Sequence, residues 1–233
     1  MPLRLRQICL AAERLEPVVE ELRALLRVAP CHRDPEVAAF GLENALFRAG
    51  EAYIEVVAPI RPGTAAGRFL ERRGGGGYMV ITEAPTRAAQ DQARARAAAA
   101  GVRVAWERDY GDWRLMQLHP RDMIASFLEI DWVEGGPAGR WPPASEDRSE
   151  GAPGIESVAA VELRGPDPAA LASHWAGIAG AAAAPGLTLR LANADLRFAA
   201  SEGAPGLSAV DLRAPGRAPE SAAICGVRFN FIA

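Results

Sequence analysis

The order of predicted elements repeats along the chain, and that repeat limits the folds open to it. Residues 3–12 (LRLRQICLAA) form an apolar run of strand length. A helix opens at Glu16-Pro17, where Pro is tolerated in the first turn, and Val18, Leu22, Leu25 and Leu26 give it an apolar stripe. Strands are predicted over 37–41, 44–48 and 52–57. The order then restarts. Residues 78–84 read as a strand, 86–100 as an Ala/Arg helix closed by Gly101, and 102–107, 113–118 and 126–132 as strands. The β-α-β-β-β pattern thus occurs twice, offset by about 72 residues. So long a period with mixed elements marks a duplicated supersecondary unit rather than a solenoid.

The remainder starts the same way. Residues 154–163 (GIESVAAVEL) echo 3–12, and Asp167-Pro168 opens a third helix running to about Ile178. Residues 187–191 and 194–200 read as strands. Two more follow at 207–213 and 224–232, with too few residues between them for a helix and two strands, so a fourth unit is expected to have lost its middle. Between the halves lies GGPAGRWPPASEDRSEGAPG, rich in Gly, Pro and charge and without apolar period. The expected division is therefore a domain over 1–134, a linker over 135–154 and a degenerate C-terminal domain over 155–233.

Composition narrows the function. Apolar residues make up 49% and charged residues 24%, the balance of a globular protein, and the net charge of −3 offers no basic field for a nucleic acid. All 26 basic residues are Arg, which removes Schiff-base chemistry and the phosphate-binding Lys of a P-loop. The three Cys, at 9, 31 and 225, form no CxxC and read as reduced thiols of a cytoplasmic protein. No signal peptide or long apolar run is present, so neither secretion nor a membrane span is expected.

Four segments, in their order and spacing, resemble the vicinal oxygen chelate superfamily of glyoxalase I, methylmalonyl-CoA epimerase, extradiol dioxygenases and bleomycin-resistance proteins. They are the strand-helix opening RQICLAAERLEPVVEELRALL, the strand AYIEVVAP before a Pro turn, the Gly-rich GGGGYMVITEA and the ending LHPRDMIASFLEIDW. The stretch AFGLENALFRAGEAYIEVVAP resembles the glyoxalase-like members. The resemblance covers about residues 3–133 and implies an α+β fold of paired βαβββ units forming cup-shaped mixed sheets, here with a degenerate second pair. It also implies a metal inside the cup on four side chains, typically His, Gln or Glu, His and Glu. Those positions fall on Gln7, Glu55, Tyr78 and Glu129, so both imidazoles are missing. In the C-terminal half they fall on Ser157, Arg197, Ser208 and Arg228 or Asn230, where no negative charge would hold a metal.

Two carboxylates meeting in an apolar cup need a cation, or one of them takes a proton. An all-oxygen set disfavours zinc and nickel and leaves only a hard divalent cation, so no metal is the first expectation. Gln7 and Tyr78 would then hydrogen-bond Glu55 and Glu129 in a polar ligand pocket, or the pair would work as acid and base with Tyr78. Phe47, Trp113 and His119 are the remaining pocket candidates beside Gln7, although His119-Pro120-Arg121-Asp122 also reads as a turn. Two functions follow. One is a glyoxalase-like lyase, isomerase or hydrolase with Glu55, Glu129 and Tyr78 as catalytic residues. The other is a non-catalytic small-molecule binding or sequestering protein of the bleomycin-resistance type. The partner is a small organic ligand in either case, and the protein is a monomer or homodimer.

Overall fold

Each repeated unit opens on a leading strand. In the computed structural model, which describes residues 2–30, 32–136, 151–181 and 184–233, four of them are present: β1 (Arg4–Ala11), β4 (Gly76–Glu83), β8 (Ser157–Gly165) and β11 (Gly206–Arg213). Each begins one copy of the repeated unit. Most of the proposed linker, residues 137–150, lies outside the described residues.

The chain divides into two compact units, each drawn from both sides of that linker. Unit 1 is Met1–Arg6, Met79–Trp141 and Ala160–Leu207; unit 2 is Gln7–Tyr78, Pro142–Ala159 and Ser208–Ala233. Four of the five boundaries fall inside the four leading strands. The first repeat is therefore gathered with the fourth, and the second with the third.

In unit 2, β2 (Leu42–Ala49) pairs antiparallel with β3 (Ala52–Pro59), which pairs parallel with β1. Helix α1 (Leu15–Leu26) buries Leu15, Val19, Leu22 and Leu26, a spacing of four, three and four that holds one stripe against the core. Each of these burials contributes about 1.5–3 kcal/mol. The strand expected over 37–41 is instead a 3-10 segment, Pro35–Phe40. Asp34 caps it by accepting from the Glu36 N–H at 2.8 Å, Pro35 presets its first turn, and Gly41 closes it at φ 74°. A single bridge, His32 to Leu46, lies before that segment. A helix the sequence reading lacked, α2 (Ala65–Arg73), follows β3, capped by the Thr64 side chain on the Gly67 N–H at 2.9 Å. The fourth repeat has no helix. Strand β11 pairs with β13 (Val227–Ile232), which forms a hairpin with β12 (Glu220–Ile224), so the single strand expected over 224–232 is the end of one strand, a turn and another.

Unit 1 orders its first sheet β5 (Val104–Asp109), β6 (Trp113–Leu118), β7 (Phe127–Val133) and β4, with only the last pair parallel. Helix α3 (Arg87–Ala99) starts where Thr86 accepts from the Ala89 N–H. The HPRD turn is the one-turn helix α4 (Pro120–Met123). The third repeat adds β8, α5 (Pro168–Ala179), β9 (Thr188–Arg190) and β10 (Asp195–Ala200). Trp175 of α5 is fully buried, meets Phe198 edge to face at 6.2 Å and donates its indole N–H to the Met123 carbonyl at 3.0 Å. No helix among the described residues is long and apolar enough to cross a membrane.

Candidate functional site

Strand register decides which side chains share a face. In unit 2, Cys9 lies opposite Glu55 and Gln7 opposite Tyr53, while Leu46 lies opposite Glu55 and Asn44 opposite Val57. Paired residues share a face and successive residues alternate, so Gln7, Cys9, Asn44 and Glu55 stand together. Ile8, Leu10, Phe47, Ile54 and Val56 point the other way and form core.

Glu55 is the centre of the polar face. Its Oε2 accepts from Gln7 Nε2 at 2.7 Å and its Oε1 from Asn44 Nδ2 at 2.6 Å. Asn44 is itself oriented, because its Oδ1 accepts the Asp34 N–H at 2.8 Å and turns the nitrogen toward Glu55. Glu55 is only 6% exposed. Burial pushes its carboxyl above the usual range; hydrogen bonds from Asn44, Cys9 and Gln7 offset part of that, and the charge of Asp34 adds to it. Its donors are neutral, and no cation pairs with it among the described residues.

Tyr78 belongs to the same unit. Its ring packs edge to face on Phe69 of α2 at 5.1 Å. Burial holds its hydroxyl proton more tightly than usual; the charges of Cys9 and Glu55 act in the same direction, those of Arg68 and Arg72 against it. At neutral pH the Tyr78 hydroxyl is a proton donor.

Glu129 lies in unit 1, with its own partners. Gln117 and Ile81 are its register neighbours, and Gln117 Nε2 donates to Glu129 Oε2 at 2.7 Å. Two residues along the same face, Asp131 is fully buried. Its carboxyl is pushed well above the usual range by burial and by the adjacent Glu129, against the Trp113 indole and the Met116 amide. Glu83, opposite Asp131 in register, forms a buried ion pair with Arg6, Nε to Oε2 at 3.3 Å.

The expected site is thus redistributed. Glu55 and Glu129, expected to face each other, belong to different compact units, because successive repeats are not gathered into one unit. Tyr78 is an odd number of residues from Ile81, so alternation points it away from the β4 face that Glu129 shares. Phe47 is fully buried on the face opposite Glu55 and is core rather than pocket lining. Trp113 shares the face of Glu129 and stacks on Tyr110 at 5.3 Å. His119 caps α4, its Nδ1 accepting from the Arg121 N–H at 3.3 Å. In the fourth repeat, Asn230 donates to Asp211 at 2.7 Å. Sequence reasoning missed Asn44, Gln117, Glu83, Asp131 and Arg6. The alternation in FLEIDWV, which sets Glu129 and Asp131 on one face, was the available signal for Asp131.

The residues present do not fit the divalent metal that the superfamily resemblance implies. Both Glu55 oxygens face amide N–H groups, and Gln7 and Tyr78 stand where the resemblance implies imidazoles. Among the described residues no three His, Cys, Asp or Glu converge as a metal-holding group.

Comparison with known proteins supplies the lineage. No curated protein matches the chain. A crystal structure of a hypothetical protein from Staphylococcus aureus matches 100% of this chain and 99% of its own, at 16% identity and a TM-score of 0.71. A Streptomyces coelicolor methylmalonyl-CoA epimerase variant, in complex with 2-nitronate-propionyl-CoA, matches 61% of this chain and 100% of its own, at 23% identity and a TM-score of 0.50. At these identities both likenesses speak for the fold alone. The family model for the glyoxalase-like domain matches residues 4–179, three quarters of the length, and the chain belongs to that family.

Proposed function

We propose that unit 2 binds a small oxygen-bearing organic molecule at the Glu55 face and that Glu55 moves a proton on it without a metal, as an isomerase or lyase does. One observation carries this reading: a buried carboxylate held at both oxygens by neutral amides. Gln7 and Asn44 fix its direction without cancelling its charge, and burial raises its basicity toward that of a working general base. Tyr78, kept protonated, is the donor proposed for the substrate oxygen that gains charge when the proton leaves. Glu129, which accepts from Gln117 at one oxygen, is proposed as the corresponding carboxylate of unit 1. The proposed setting is cytoplasmic, as a monomer or homodimer.

The test is deuterium wash-in. The full chain is incubated in D2O with a panel of small hydroxy, keto and branched dicarboxylic acids, and loss of the α-proton is followed by NMR. Exchange into at least one compound is expected, slowed about 100-fold or more in Glu55→Gln with unchanged circular dichroism. Equal exchange by wild type and Glu55→Gln refutes the role of Glu55. Binding of a panel compound without exchange would instead establish the alternative, a binding or sequestering protein.

A further inference from the structure

Helix α2 carries charge that the Glu55 chemistry does not use. Arg72 and Arg73 lie three and four residues beyond Phe69 and border it on the helix surface, and Arg68 lies four before Arg72 and borders that arginine. Phe69 rests on Tyr78 at 5.1 Å, and the Arg73 guanidinium lies over the Phe69 ring at 5.7 Å. The arginine face therefore adjoins Tyr78, whose hydroxyl feels the charges of Arg68, Arg72, Cys9 and Glu55. Arg68 is anchored by donating to the Gly63 carbonyl at 2.7 Å. Neither Arg68 nor Arg72 has an acidic partner among the described residues, and Glu71, the one acid of α2, pairs with neither. Several other arginines of the chain are matched, among them Arg33 with Glu16, Arg87 with Asp109, Arg103 with Asp122 and Arg114 with Asp91. Like charges left together on one helix face repel, and a bound anion relieves them.

We infer that Arg68 and Arg72 hold an oxyanion group of the molecule on which Glu55 acts, which makes the substrate a small organic acid or phosphate ester. This rests on the proposed role of Glu55 and adds its substrate class. The planar guanidinium fork matches a carboxylate or phosphate in two hydrogen bonds at once. Anchoring the non-reacting anion there orients the rest of the molecule toward Tyr78 and Glu55.

Isothermal titration of the full chain with malonate, dimethyl malonate and inorganic phosphate tests it. Malonate or phosphate binds and dimethyl malonate does not; malonate over phosphate identifies a carboxylate, the reverse a phosphate ester. Arg68→Gln and Arg72→Gln, both at exposed positions, each weaken binding about tenfold, and Arg72→Lys weakens it less. Glu55→Gln retains the binding while losing deuterium exchange. The inference is overturned if neither anion binds wild type at ~10 mM, if dimethyl malonate binds as well as malonate, or if both Gln variants bind within about twofold of wild type. Loss of exchange in Glu55→Gln with unchanged anion binding in both Gln variants would sink this inference and leave the Glu55 reading standing. Anion binding lost in Arg72→Gln, with no compound ever exchanging, would sink the Glu55 reading, overturn the link between the two, and leave only an anion site on α2.

Discussion

Replacing Asn44 by Ala removes two hydrogen bonds with different consequences. The bond to Glu55 Oε1 at 2.6 Å belongs to a class worth about 1.5–3 kcal/mol when the acceptor is ionised; the bond from the Asp34 N–H at 2.8 Å is neutral, worth about 0.5–1.5 kcal/mol. The expected loss with Glu55 ionised is therefore about 2–4 kcal/mol. It depends on pH in a known direction. In the wild type the Glu55 carboxyl is raised by burial, so the folded state binds its proton more tightly than the unfolded chain does. That contribution is fully present below the unfolded value of 4.5 and is lost as pH rises through the folded value. Asn44→Ala raises the folded value further, because it removes a donor from the ionised form. The loss is thus largest above that window and smallest below it. Urea unfolding at several pH values, for wild type, Asn44→Ala, Glu55→Gln and the double variant, measures both the size and the trend. A loss below about 0.5 kcal/mol near neutral pH, or one that does not change with pH, refutes the arrangement of amides around Glu55.

Two further outcomes follow from the packing. Arg6→Met strips Glu83 of its buried cation and is expected to cost about 3–5 kcal/mol by urea unfolding, less in acid, where a neutral Glu83 needs no partner. A pH-independent loss would contradict the pair. Phe47→Ala is expected to cost about 3–5 kcal/mol while deuterium exchange at Glu55 persists, since the ring lies on the opposite face. Exchange lost with the fold intact would return Phe47 to the pocket.

Much of this architecture was legible along the chain. Helices α3 and α5 announced themselves through local chemistry: an Ala/Arg run closed by Gly101 in the first, Asp167 as cap and Pro168 in the first turn of the second. Strands β2, β3, β6 and β7 were visible as short apolar runs between turn residues. Two misreadings came from treating apolar content as sufficient. Residues 35–40 have the composition of a strand, but the Asp34 cap, Pro35 and Gly41 close them into a 3-10 segment. Residues 224–232 hide the turn between β12 and β13, where Cys225 takes φ 49° beside Gly226 at 74°.

The residue order by itself determined the repeat, the family, and the placement of Glu55 and Glu129 on strands, because cap chemistry, turn chemistry and side-chain alternation act over a few positions. Tertiary structure decided the company each keeps. Which repeat closes on which, that Asn44 reaches Glu55 across a strand pair, and that Arg6 meets Glu83 depend on register and on burying the most apolar surface. Those are properties of the whole packed chain, which no local pattern encodes.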